Sequence, residues 1–150
     1  MIKARKLGTH RMQIYLDSIG CRLNWSEIEV LARQFTAAGC TIVSEPQKAD
    51  TFVINTCAVT AQAERKTRHR VRWLHRQNPD AQIAVVGCYP TLRPQMSASF
   101  PGVAWVIPNA EKAQATRIVG ASSQEFNTSP LVIRQSPLRV RAFIKVQDGC

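Results

Sequence analysis

The sequence contains no apolar run that approaches the roughly eighteen residues a membrane span needs. Its basic first segment, Met1 to Arg11, lacks the apolar stretch of a secretory leader and reads as a short frayed arm. Paired CxxC motifs are missing, which argues against a closed structural zinc site. The five cysteines are odd in number and widely spaced, a poor disulfide framework. No internal repeat is visible. No Gly- or Ser/Thr-rich phosphate turn follows the first predicted strand, where Gly20-Cys21-Arg22-Leu23 stands instead. Acidic residues are scarce, ten against twenty basic ones, for a net charge of +10. These absences argue for a chain of the reducing cytosol, where thiols serve metal or redox roles. The charge favours polyanionic partners, chiefly nucleic acid, although a merely soluble basic protein would carry it too.

What is present is enough for one domain with a real core: 150 residues, of which 45% are hydrophobic. Strands alternate with helices. Met12 to Leu16, Thr41 to Val43, Thr51 to Asn55, Gln82 to Val86 and Val103 to Ile107 read as strands. The third of these suits burial on both faces. A helix is predicted to start at Ser26, because Ser26 and Glu29 have capping-box spacing. It continues through Ile28, Leu31, Ala32 and Phe35 to a stop at Gly39. A second helix runs from Thr60 to Gln77, ended by Asn78 and Pro79. Further helices are expected near Leu92 to Ser99 and over Ala110 to Val119.

This rhythm predicts an α/β fold. The expected form is a flavodoxin-like, Rossmann-type parallel sheet of about five strands in order 2-1-3-4-5, with helices on both faces. The sheet domain should occupy 1–120. Residues Ala121 to Pro137, rich in Ser, Asn, Thr and Pro, read as a linker. A new strand then alternates Val140, Ala142, Ile144 and Val146 with Arg139, Arg141, Phe143 and Lys145. It runs into Gln147-Asp148-Gly149-Cys150, so the chain is expected to stop just inside a further domain, 138–150.

Cys21, Cys57 and Cys88 each follow a predicted strand: the first, third and fourth. In the order 2-1-3-4-5 these strands are neighbours, and ligands bind at such C-terminal strand ends. Neighbouring strands lie about 4.8 Å apart, so the three loops can converge. Three thiolates suit a 4Fe–4S cube with one iron left open. Gly20 and Gly87 allow close backbone approach to a bulky group. Cysteine is also a common small core residue, and spacing alone leaves both readings open. Cys40, away from that edge, reads as core filler.

Ser18-Ile19-Gly20-Cys21-Arg22-Leu23-Asn24, Val53-Ile54-Asn55-Thr56-Cys57-Ala58-Val59-Thr60 and Val86-Gly87-Cys88 resemble the three cysteine motifs of the methylthiotransferase N-terminal domain. Phe143-Ile144-Lys145-Val146-Gln147-Asp148-Gly149-Cys150 resembles the entry to that family's radical-SAM domain. The resemblance implies that Cys21, Cys57 and Cys88 hold an auxiliary 4Fe–4S cluster whose open iron takes the sulfur to be transferred. Cys150 would be the first ligand of a second 4Fe–4S cluster, in a CxxxCxxC pattern whose other two cysteines are not in this sequence. That second cluster would use S-adenosylmethionine to make a radical, and a second S-adenosylmethionine would give the methyl group. Asn24 and Asn55 match family positions near the cluster. They are expected to hydrogen-bond loop backbone, or else simply to steady their own turns.

Ala63-Glu64-Arg65-Lys66-Thr67-Arg68 and Val146-Gln147-Asp148-Gly149-Cys150 look most like the branch acting on threonylcarbamoyl-adenosine beside the anticodon. Other branches act on isopentenyl-adenosine in tRNA or on a ribosomal-protein aspartate. The implied partners are the tRNA anticodon stem-loop and a reductant such as flavodoxin or ferredoxin. A cytoplasmic monomer without a membrane partner is expected. The 150-residue chain alone should be inactive. A non-catalytic iron–sulfur or RNA-binding module is the alternative, and the unfinished motif at Cys150 speaks against it.

Arg65, Arg68, Arg72 and Arg76 recur every three or four residues, with Lys66, His69, Arg70 and His75 beside them and Val71 and Leu74 facing inward. A solvated charged face is the ordinary outcome. Because this helix begins just after Cys57, contacts to RNA phosphates are the functional reading. The three histidines read as surface residues rather than ligands.

Overall fold

A computed structural model describes residues 11–121. Most of the N-terminal arm, the linker from residue 122 onward and the predicted start of a second domain, Cys150 included, lie outside the described residues. Strands β1 (Gln13–Ser18), β2 (Thr41–Val43), β3 (Thr51–Thr56), β4 (Gln82–Gly87) and β5 (Val103–Pro108) form one sheet. Every pairing is parallel and the order is β2-β1-β3-β4-β5. This is the flavodoxin-like arrangement that the alternation predicts.

Parallel strands need crossover connections, and the crossovers cover both faces of the sheet. Helix α1 (Arg22–Ala37) sets Ile28, Leu31 and Phe35 against Ile14, Val53 and Val86 on one face. Helix α2 (Ala61–Gln77) sets Val71 and Leu74 against Phe52, Ile54, Ile83 and Val85 on the other. The pleat divides β3 between the two cores, residue by residue, and all of β3 is buried.

Helix α1 starts at Arg22, four residues before the expected Ser26. Cys21 stands at its N-cap in extended backbone, and Ser26 lies inside the helix, where its Oγ donates to Leu23 O at 2.8 Å. The capping box is therefore not formed. A buried Asn24 ties the first turn to the loop before it and extends the helix backwards. At α2 the start is as local chemistry requires: Thr60 Oγ1 accepts from Ala63 N at 3.1 Å.

The expected helix near Leu92 is two short ones, α3 (Cys88–Leu92) and α4 (Pro94–Ala98). Pro94 has no N–H to continue α3 but fits the first turn of α4. The expected helix over Ala110 to Val119 is a 3₁₀ stretch, Asn109–Gln114, followed by α5 (Ala115–Ile118). Ala121 is buried in the core under α1, and its N–H donates to Thr116 O at 2.9 Å. No helix among the described residues is long and apolar enough to cross a membrane.

Candidate metal centre at the C-terminal rim of the sheet

Cys21, Cys57 and Cys88 lie just past the C-terminal ends of β1, β3 and β4, which are adjacent. Thr56 pairs with Gly87, so Cys57 and Cys88 each follow one half of the same pair. Ser18 pairs with Asn55, and Ile19 N donates to Asn55 O at 2.8 Å. That bond draws the Ile19-Gly20-Cys21 turn alongside Cys57. Gly20, at φ 128°, makes the approach possible: a Cβ there would stand 2.5 Å from Cys57 Cβ and 3.4 Å from its Sγ.

Cys21 and Cys57 line one depression of about 360 Å³, with Val59, Gln62 and Lys66 on its wall. Cys88 does not line it. Its Sγ instead accepts an N–H from Asn109 Nδ2 at 3.3 Å. All three thiols are free; Cys21 is exposed, Cys88 half-buried and Cys57 buried. Among the described residues, no three His, Cys, Asp or Glu side chains close on a single metal ion. Cys40 is buried just before β2, at the opposite rim, and burial pushes its thiol up.

Beneath the cysteines runs a buried polar network. Asn24, Glu27 and Asn55 are 3%, 5% and 0% exposed, so each needs partners. Asn24 Nδ2 donates to Ile19 O at 2.8 Å, and the Cys21 thiol donates to Asn24 Oδ1 over a long 3.7 Å. Asn55 Nδ2 donates to Asn24 O at 3.2 Å and to Glu27 Oε2 at 3.0 Å. Lys112 Nζ closes on the same Oε2 at 2.5 Å. Glu27, Asn109 and Lys112 were not singled out from the sequence. Glu27 had a visible signal, a carboxylate on the apolar stripe of α1 beside Ile28 and Leu31. Asn109 directly follows a strand that ends at this rim. Nothing local pairs Lys112 with Glu27.

The basic residues of α2 are not equivalent. Arg65, Arg68, Arg72 and Arg76 line one groove with His69, about 520 Å³ in volume. Arg68 is engaged by Glu64 at 3.5 Å, and the Arg72 guanidinium sits 6.0 Å from the Phe100 ring centre. Arg70 points away from this groove. It pairs with Asp17, reaches the Tyr15 hydroxyl at 3.4 Å and stacks 4.2 Å over Trp73. Arg70 therefore fastens α2 to β1. A further depression shares Ile19 and Lys66 with the cysteine site, and Arg65 and His69 with the basic groove. A continuous basic path thus leads from the cysteine rim along α2.

The family described as "Uncharacterized protein family UPF0004" matches residues 13–108. The chain belongs to this family, the N-terminal domain of methylthiotransferases. Threonylcarbamoyladenosine tRNA methylthiotransferase MtaB of Chlamydia pneumoniae is 39% identical over 136 residues, covering 90% of this chain and 32% of that protein. MtaB of Aquifex aeolicus is 31% identical over 152 residues, 93% of this chain and 37% of that protein. The tRNA-2-methylthio-N(6)-dimethylallyladenosine synthase of Chloroherpeton thalassium is 37% identical over 81 residues, 52% of this chain and 18% of that protein. The chain spans about a third of the length of the MtaB relatives it matches. A solved structure described as a pilus assembly protein (cpaE) of Burkholderia thailandensis has a TM-score of 0.50 at 16% identity, covering 73% of this chain and 98% of that one. That likeness is one of fold alone.

The rim of this methylthiotransferase domain has the chemistry an iron–sulfur cluster requires. Its donors are thiols, at three neighbouring strand ends. A 4Fe–4S cube takes thiols spread wider than a single ion does, and three of them leave one iron open. Gly20 keeps clear the space that a Cβ would fill beside Cys57.

Proposed function

We propose that this domain is the sulfur-delivering, cluster-binding part of a tRNA methylthiotransferase that modifies C2 of threonylcarbamoyl-adenosine beside the anticodon. The observation that carries the reading is the row of Cys21, Cys57 and Cys88 past three adjacent parallel strands in a chain of this family. The substrate is read from the relatives. MtaB of Chlamydia pneumoniae is 39% identical along 90% of the chain, against 29% along 91% for the dimethylallyladenosine synthase of Amoebophilus asiaticus.

In the full-length enzyme, two 4Fe–4S clusters and S-adenosylmethionine supply the sulfur and the radical chemistry that an unreactive aromatic C–H bond requires. The residues of this chain bind and position. Cys21, Cys57 and Cys88 hold the auxiliary cluster. Asn24 and Asn55 keep the turn before α1 pressed against Cys57. Arg65, Arg68, Arg72 and Arg76 meet tRNA phosphates, which sets register without reading sequence.

Anaerobic reconstitution of the chain with iron and sulfide tests the reading. About four irons per chain are expected, and Cys57→Ala should not retain them. Zinc in place of iron, or no metal at all in the wild-type chain, overturns it.

A further inference from the structure

We propose that Asn109 is a positioning residue for the Cys88 ligand, and that its N–H···S bond raises the reduction potential of the auxiliary cluster. This rests on the cluster reading above.

Asn109 is the first residue after β5, whose Pro108 pairs with Gly87 just before Cys88. Its backbone N–H donates to Thr91 Oγ1 at 2.9 Å, and that hydroxyl donates to Gly87 O at 2.7 Å. The amide is therefore anchored to the Cys88 turn by bonds that do not involve the sulfur. One helical turn on, Lys112 is held by Glu27 and so by the network under Cys21 and Cys57. The 3₁₀ stretch from Asn109 is thus braced against all three cysteine loops.

The direction of the Asn109 amide matters. A thiolate bound to iron carries no proton and can only accept. Asn109 offers it an N–H at 3.3 Å. Asn24 behaves differently: it turns Oδ1 to Cys21 and gives its N–H to Ile19 O. Among the described residues, only the Cys88 sulfur receives a side-chain N–H. Adding an electron to a cluster puts more negative charge on its sulfurs. An N–H dipole aimed at one of them stabilises the reduced form more than the oxidised form.

The test is a spectroelectrochemical titration of the reconstituted chain, comparing wild type, Asn109→Leu and Asn109→Asp at equal iron content. Asn109→Leu removes the donor and should lower the midpoint by on the order of tenfold in the reduction equilibrium, about 59 mV for one electron. Asn109→Asp keeps the shape, offers only acceptors and should lower it further. If Asn109→Leu loses iron, Asn109→Asp carries the test. A role in shaping the loop alone would leave the midpoint where it is. A loaded wild type whose midpoint neither substitution moves defeats this proposal and leaves the cluster reading intact. A wild type that takes up no cluster defeats both.

Discussion

Helix α1 and helix α2 cover opposite faces of one sheet, yet only α1 buries a carboxylate. Helix α1 opens by burying Asn24 and Glu27, and only later sets Ile28, Leu31 and Phe35 into the core. Helix α2 buries Thr67, Val71 and Leu74 and lays Arg65, Arg68, Arg72 and Arg76 outside in a basic groove. A buried carboxylate is costly unless a cation and hydrogen bonds meet it. Helix α1 bears that cost beside the cysteines, where the loops must keep one shape. On its inner side helix α2 buries a single uncharged polar group, Thr67, whose hydroxyl donates to Cys57 O at 3.4 Å, and otherwise packs Val71 and Leu74. The buried network of Asn24, Glu27 and Asn55 thus sits where position matters more than raw stability.

The contrast can be broken most sharply from the apolar side. Phe52 is fully buried beneath α2. Phe52→Ala should lose about 3–5 kcal/mol in urea unfolding, from lost transfer energy plus the cavity left behind. A loss near zero would mean that this core does not carry the fold.

The polar side comes next. Lys112→Met takes away the lysine that meets the buried Glu27 carboxylate and should lose about 3 kcal/mol in the same measurement. Adding Glu27→Leu should recover part of that loss, because the carboxylate that Lys112 met is then gone as well. If the double variant is worse than Lys112→Met alone, the network is held by its hydrogen bonds rather than by the ion pair.

The outer face of α2 should matter least to folding. Arg65→Glu with Arg76→Glu should change stability by no more than about 0.5 kcal/mol. In the full-length enzyme the same pair should weaken tRNA binding and lower its salt slope by about two. Arg68→Glu should do less, since Glu64 already engages Arg68. A filter-binding titration over salt that shows no change would remove α2 from the RNA contact surface.

Much of the rim was legible beforehand. Strand and helix periods placed Cys21, Cys57 and Cys88 at strand ends, and topology rules made those strands neighbours. The start of α1 was misread, because Ser26 and Glu29 carry a local capping signal while the true start depends on Asn24 reaching back to Ile19. The inward turn of Arg70 was equally hidden. Only the approach of Asp17, Tyr15 and Trp73 separates it from the other arginines of α2.

By itself the sequence determined the alternation of elements, the sheet they build and the edge at which the thiols emerge. Those follow from side-chain periods of two and 3.6 residues, which act along a few neighbouring positions. Only the tertiary structure decided that Lys112 meets Glu27 across 85 positions, and that Asn109 rather than another polar group faces Cys88. Such meetings depend on how a crossover packs and how a turn closes, and no local preference encodes either.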